Sequence, residues 1–314
     1  MAIFRISHVT RYEYDRPVKE SLNEVRVFPF PGAGQEVLQH DLLITTHPEV
    51  NVFTDYWGNK VGTFNILPPH KVLSIESRMQ VRTTGSSQLD INFHSTFEQL
   101  RVETEDRFKL LELSDPESIA SDAAVRVIRD QLVVQGRSVA GVVEQCSEYI
   151  FKNFKYIKGI TDITTTVDEI LEQRLGVCQD FAHLMLQILR TCRIPCRYVS
   201  GYICPNKNGM RGEGATHAWV EAWIPGYGWA GIDPTNNTWV TNKHVKLSVG
   251  RNFADCSPVK GSFKGPAKQT LSVFVSVGYE DGQISEELNN VHFHTTSESP
   301  SDAILDGSFA GQQQ

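Results

Sequence analysis

The period of the hydrophobic pattern changes twice along this chain, and that restricts its architecture more than any other property. From Ile3 to about Arg82 apolar and polar residues alternate in short segments, among them Phe4–Val9, Tyr12–Tyr14, Asn23–Val27, Val61–Phe64 and Val72–Ile75. A period of two with β-branched and aromatic residues reads as strands. Asp15-Arg16-Pro17, Pro29-Phe30-Pro31-Gly32, Trp57-Gly58-Asn59 and Pro68-Pro69 supply the expected turns. An N-terminal β-sandwich-like domain over residues 1–85 follows. Thr83–Ser87 is small and polar and marks a boundary, after which 86–115 is a connecting region; Leu89–Leu113 carries no clear period.

Helical spacing then takes over. Ser114-Asp115-Pro116-Glu117 offers a cap with proline in the first turn, followed by Ile119, Ala123, Val127 and Ile128 at helical intervals. Ser138–Phe151 repeats the pattern, and Thr166-Val167-Asp168-Glu169 is a capping-box sequence opening a short helix. Phe181, Ala182, Leu184, Met185, Ile188, Leu189 and Cys192 form an apolar stripe that predicts a helix over 179–192, with Cys178 at its start. After Pro195 the alternation returns in Tyr198–Ile203, His217–Ile224, Trp229–Asp233 and Leu271–Gly278. Helices followed by a run of strands indicate an α+β core, assigned to 116–280. At 314 residues the chain exceeds most single cores, consistent with this division.

The net charge of -7 belongs to one end: from Glu280 to Gln314 there are seven acidic residues and no Lys or Arg. Residues 281–314 are therefore expected to be an acidic, loosely ordered tail, and His292-Phe293-His294 to be solvated within it. No basic patch points to nucleic acid. No apolar run is long enough to span a bilayer, and Met1–Val9 lacks the apolar core of a secretory signal. A cytoplasmic protein without membrane or nucleic-acid partners is the expectation. The six cysteines fit reduced thiols. Cys192, Cys196 and Cys204 lack the paired spacing of a zinc knuckle, so neither metal nor cofactor is expected. Trp219, Trp223, Trp229 and Trp239 are candidates to wall a substrate cleft, although most tryptophans simply pack.

Cys178, His217 and Asp233 carry the chemistry. A helix N-terminus stabilises a thiolate through its unpaired N–H groups and dipole, and Cys178 stands there. His217 shares one strand face with Trp219, Glu221 and Trp223. Asp233 precedes a proline, which is also a turn signal. Pro225-Gly226-Tyr227-Gly228 can fold the two strands into a hairpin whose register decides the matter. A four-residue loop puts Asp233 opposite Val220, away from His217; a three- or five-residue loop, or a bulge, puts it opposite Trp219 and diagonal to His217. A catalytic triad requires the odd register. For the oxyanion, Tyr156 and Gln179 are the side-chain candidates beside the Cys178 N–H. Asp180 is an ordinary dipole partner at the helix start, and would oppose a thiolate if too close.

These residues bring a resemblance into view. Gly176-Val177-Cys178-Gln179-Asp180-Phe181-Ala182-His183, Tyr198–Tyr202, Thr216-His217-Ala218-Trp219-Val220-Glu221 and Asp233-Pro234-Thr235-Asn236 resemble the bacterial branch of the transglutaminase-like superfamily, related in fold and triad order to papain-like cysteine proteases. His8–Tyr14, Asn23–Arg26 and Asp55–Asn59 are similar to its β-rich N-terminal region, and Gly250–Asp255 with Ser257–Gly261 to its C-terminal continuation. The resemblance implies a nucleophile helix packed on an antiparallel sheet, with Cys178, His217 and Asp233 as triad. It implies thiol-dependent acyl chemistry on a protein or peptide substrate. Hydrolysis of a peptide or glutamine-type amide is the first expectation, with water as the default acceptor. Transfer to an amine is the alternative within the enzyme class, and a non-catalytic protein-binding module that retains the triad is the alternative outside it.

Overall fold

Strand β1 (Ala2–Val25) is 24 residues long and organises half of the molecule. Asp15-Arg16-Pro17, expected to turn the chain, lies inside it: the register merely shifts between Glu13 and Val18, and the strand continues. A proline lacks one donor, which a bulged strand tolerates. This computed structural model describes residues 2–32, 34–84, 90–159, 164–204, 210–212, 215–279, 284–285 and 291–295. In chain order β2 (Gln35–Ile44), β3 (Asn51–Thr54), β4 (Lys60–Ile66) and β5 (His70–Thr83) follow β1. Four helices come next, α1 (Phe97–Thr104), α2 (Phe108–Leu113), α3 (Asp122–Leu132) and α4 (Val139–Asn153). Then come β6 (Lys155–Tyr156), α5 (Val167–Gln173), β7 (Leu175–Gly176) and α6 (Cys178–Thr191). The rest is β8 (Cys196–Ile203), β9 (Thr216–Ile224), β10 (Gly228–Asp233), β11 (Thr238–Trp239), β12 (His244–Gly250), α7 (Phe253–Cys256), β13 (Val259–Lys264), β14 (Gln269–Tyr279), β15 (Ile284–Ser285) and β16 (Val291–Thr295).

Two antiparallel sheets result. The first is curled around β1, whose first half lies between β5 and β14 and whose second half lies between β4 and β13. The second has the order β11-β10-β9-β8-β12, and α6 packs on one of its faces against Ala218, Val220, Ala222 and Ile224. β13 and β14, which fall within the expected unit of 116–280, pair with β1 and belong to the first sheet. A 24-residue strand exposes two long rows of backbone donors and acceptors, and the chain must return to satisfy the second row. Part of the expected tail also joins this sheet, since the backbones of β15 and β16 pair with β14. The side chains of His292-Phe293-His294 and the remainder of the tail lie outside the described residues.

The second sheet rests on the first through specific polar contacts. Gln35 and Asn59 act as surrogate strand residues along the outer edge of β12. Gln35 Oε1 accepts from the Lys246 N–H at 2.8 Å and its Nε2 donates to the Lys246 carbonyl at 2.8 Å. Asn59 does the same with Val249, at 2.8 and 2.7 Å. The Tyr202 hydroxyl meets His8 Nδ1 at 2.7 Å. An apolar cluster mixes β1 and β5 residues with Tyr202, Cys204, Val245 and Leu247.

The helical layer departs from the pattern in two places. The helix expected from Ser114-Asp115-Pro116-Glu117 begins only at Asp122, and Val127 points outward while Val125, Ile128 and Leu132 face the core. The intervening segment satisfies its backbone elsewhere: Glu117 exchanges both groups with the Gln187 amide, and the Ala120 and Ser121 N–H groups donate to Asp168. In the connecting region Thr96 and Gln99 form a capping box that opens α1, a signal present in Thr96-Phe97-Glu98-Gln99. The capping box at Thr166 and Glu169 opens α5 as its sequence predicts. No described helix is long and apolar enough to cross a membrane.

Candidate functional site

Helix α6 starts at Cys178 because Val177 is extended and its N–H is taken by Asp180 Oδ2 at 2.8 Å. Asp180 is thus a cap, with one oxygen spent on the backbone. The apolar stripe of α6 is buried against the sheet, which fixes where its N-terminus lies. The two-residue parallel pairing of β6 with β7 sets Tyr156 beside Gly176, two positions before the cysteine.

The β9–β10 hairpin has the three-residue loop Pro225-Gly226-Tyr227, with Gly228 opposite Ile224 and Ile232 opposite Val220. One step further Asp233 comes level with Trp219, in the odd register and on the face of His217. Gly226 (φ +76°) and Gly228 (φ +96°) occupy the left-handed region that this tight turn demands. His217 Nε2 then donates to Asp233 Oδ2 at 2.9 Å, with both side chains fully buried. Nδ1 is left as the basic nitrogen, buried and free to interact with the Cys178 sulfur. Burial opposes protonation of this ring, but the Asp233 carboxylate and the Cys178 sulfur outweigh it and push the imidazole up to about 10. Burial likewise opposes ionisation of Asp233, yet His217 and His244 hold its carboxyl far below the usual range. Cys178 is 1% exposed.

The turn reading and the site reading of Asp233 are both true. Oδ1 accepts from the Thr235 and Asn236 N–H groups at 2.9 and 3.3 Å, an Asx-type turn, while Oδ2 faces His217. Oδ2 also accepts from Asn236 Nδ2 at 2.7 Å. His244 Nε2 stands 3.8 Å from the same oxygen. Its Nδ1 accepts from the Thr241 N–H at 3.4 Å, which leaves the proton on Nε2, toward Asp233. Burial lowers the His244 pKa against the pull of Asp233. Trp219 stacks on His217 with the ring planes 25° apart and meets His244 edge-on.

Asn236 and His244 carry no role in the sequence reading. Asn236 lies three residues past the aspartate, a spacing at which an Asx turn brings its amide back to the carboxylate. His244 has no such signal; only the pairing of β12 with β8 places it. Of the two oxyanion candidates, Tyr156 has its hydroxyl proton held on, the pKa raised by burial and then by Cys178 and Asp233. Gln179 is 1% exposed, with neither amide atom hydrogen-bonded among the described residues. The tryptophans pack: Trp219 is buried behind His217, Trp223 and Trp229 meet edge-to-face at the far end of the hairpin, and Trp239 Nε1 donates to Glu144. All six cysteines are free and buried, with Cys192 and Cys196 in the α6 core and Cys204 in the other.

Comparison with known proteins agrees with this architecture. The model for the transglutaminase-like superfamily matches residues 128–234, and that for the bacterial transglutaminase-like N-terminal region matches 4–82. An uncharacterized protein of Mycobacterium leprae is 31% identical over 282 residues, 87% of this chain and 97% of that protein. An uncharacterized protein of Mycobacterium tuberculosis is 32% identical over 275 residues, 82% of this chain and 86% of that protein. A crystal structure from Cytophaga hutchinsonii named "Putative Cysteine Protease" shares the fold, with a TM-score of 0.70, 22% identity, and coverage of 93% of this chain and 96% of its own. The helix-start cysteine, the hairpin and the curled N-terminal sheet are thus parts of one arrangement, and the chain belongs to the transglutaminase-like superfamily, in the form that carries the bacterial transglutaminase-like N-terminal region.

Proposed function

We propose that the chain is a cysteine-dependent enzyme that cleaves an amide of a protein or peptide substrate through a thioester. Cys178, His217 and Asp233 are its triad. His217 Nδ1 takes the thiol proton and holds it as an ion pair with the sulfur. The sulfur forms a bond to the carbonyl carbon, and the tetrahedral oxyanion is held by the Cys178 N–H and the Tyr156 hydroxyl. The C–N bond then breaks as the imidazolium returns its proton to the departing amine. Water, deprotonated by Nδ1, attacks the thioester and releases the carboxylic acid and the thiol. Asp233 stays ionised throughout and keeps the Nε2 proton in place.

The observation that carries this reading is the 2.9 Å bond from buried His217 to Asp233, made in the register a triad requires. A non-catalytic module has no need to keep a buried charge pair whose desolvation costs several kcal/mol. Transfer to an amine is the second reading, favoured by a local likeness. A protein-glutamine gamma-glutamyltransferase of Pseudomonas aeruginosa is 38% identical over 73 residues, 22% of this chain and 11% of that protein. Mass spectrometry of a glutamine-containing peptide, incubated with and without a primary amine, separates the outcomes. Chain cleavage or deamidation that ignores the amine supports hydrolysis; an amine adduct supports transfer; an unchanged peptide, together with no selective thiol labelling at Cys178, refutes both.

A further inference from the structure

Residues 210–212 lie over the basic face of His217. Gly212, at φ +80°, is so close that a β-carbon there would sit 2.6 Å from His217 Nδ1. The preceding residue, Arg211, is held in a fixed pose. Its N–H donates to Asn236 Oδ1 at 2.8 Å, and its carbonyl accepts from Asn236 Nδ2 at 3.0 Å. The same Nδ2 group donates to Asp233 at 2.7 Å, so Arg211 is tied to the carboxylate that orients the imidazole. The guanidinium lies over the Phe151 ring, 4.7 Å from its centroid, and spends one donor on the Thr235 carbonyl at 3.4 Å. It has no carboxylate partner among the described residues. Asp233, the nearest acid along this network, has both oxygens committed elsewhere. Arg211 also acts electrostatically on Tyr156, which feels Cys178 as well.

A half-buried, stacked guanidinium with unspent forked donors is suited to bind a carboxylate bidentately. Its backbone is pinned through Asn236 to Asp233 and adjoins Gly212 on the His217 face, so it stands on the side of the site from which Tyr156 and Cys178 act. We propose that Arg211 anchors a carboxylate carried by the substrate close to the carbonyl that Cys178 attacks. The preferred acyl donors are then amides with a free carboxylate near the scissile bond, at a chain end or on an acidic side chain. This inference rests on the thiol reading above.

Two alkylating agents that differ in charge test it without the natural substrate. Iodoacetate is an anion and iodoacetamide is neutral; both form a bond from the Cys178 sulfur to carbon and expel iodide. The ratio of their rates at Cys178, followed by mass spectrometry of the full chain, reports the local cation. His217 contributes to that ratio in every variant, so the comparison is between variants. Arg211→Gln is expected to lower the ratio about tenfold, the effect of a charge within about 10 Å of the sulfur at an effective dielectric near 20, and Arg211→Lys to keep most of it. A ratio changed less than about twofold in Arg211→Gln, with far-UV circular dichroism unchanged, overturns the inference and leaves the thiol reading standing. Failure of both reagents to label Cys178 in the unmodified chain defeats the thiol reading and this one with it. Protection of Cys178 from iodoacetamide then identifies the carboxylate. Arg211-dependent protection by N-acetyl-glycylglycine assigns a chain end, and by N-acetyl-glutamate α-amide with a blocked terminus an acidic side chain. Protection by neither, or protection that survives Arg211→Gln, overturns the anchor.

Discussion

At the residue scale the site is a set of charges stabilised by position. The His217 ring titrates at about 10 against an ordinary 6.5, because Asp233 and Cys178 overcome the opposing effect of burial. The protonated ring therefore stabilises the fold fully below pH 6.5, and that contribution is lost as pH rises through about 10. Asp233 has the opposite sign: its depressed pKa contributes stability above the usual carboxylate range, lost as the pH falls below it. The ion pair of the free enzyme needs a protonated ring, so the alkaline limb of kcat/KM is expected near pH 10, and a limb near 7 would contradict the ion pair. Asp233→Asn removes the counter-charge and reverses the donor at Nε2. Turnover is expected to fall by about 100-fold or more, and the alkaline limb to move down. His244→Gln keeps a donor toward Asp233, and a loss of only a few-fold is expected; kcat and kcat/KM against pH check both. As candidates, Cys178 was legible from its place at a helix start, and His217 and Asp233 only together, through the hairpin that can join them and the family resemblance of their motifs. His244 and Arg211 were not, since one isolated histidine or arginine looks like any other until pairing between strands decides what it faces.

At the level of elements, a single hairpin register decides whether His217 and Asp233 meet. Strand side chains alternate, so a one-residue change in the loop moves Asp233 to the other face. With one glycine inserted between Gly226 and Tyr227, a turn that keeps its three-residue closure pairs Ile224 with Tyr227 and brings Asp233 level with Ala218, on the face away from His217. Selective labelling of Cys178 by iodoacetamide near neutral pH should then fall about tenfold or more while the sheet itself persists by circular dichroism. Gly226→Val forces a β-branched residue to φ +76° and should cost roughly 1–2 kcal/mol of stability, read from denaturant unfolding. The sequence named the two loop lengths compatible with a site and the one that is not, but could not choose, because turn chemistry at Pro225-Gly226-Tyr227-Gly228 permits more than one closure. The displaced start of α3 has the same origin. Proline and acidic residues at 115–117 satisfy the local rules for a helix N-terminus, yet Gln187 and Asp168, distant in sequence, take the backbone groups that a helix would have used.

Across the whole molecule, the first and last described strands, β1 and β16, share one sheet, and the site lies between them in sequence. β1 is paired both with β4 and β5 of the N-terminal half and with the returning β13 and β14, and Gln35 and Asn59 reach from that sheet to the edge of β12. Asn59→Ala loses the bonds to Val249 and leaves buried backbone groups unpaired, a cost of about 2–3 kcal/mol; the check is denaturant unfolding, in which one transition should report on both sheets. Two separate transitions would show that the contact does not couple them. The local pattern alone determined the β-rich character of the N-terminal half, the helices α4, α5 and α6 with the place where α6 starts, and the candidate residues Cys178, His217 and Asp233, because period, caps and helix termini act over a few neighbouring residues. Only the tertiary structure decided the register of the hairpin, the return of β13 and β14 to β1, and the gathering of Asn236, His244 and Arg211 around Asp233 and His217. Those outcomes are set by backbone pairing and buried polar satisfaction between residues tens to hundreds of positions apart, for which no short stretch of sequence carries the information.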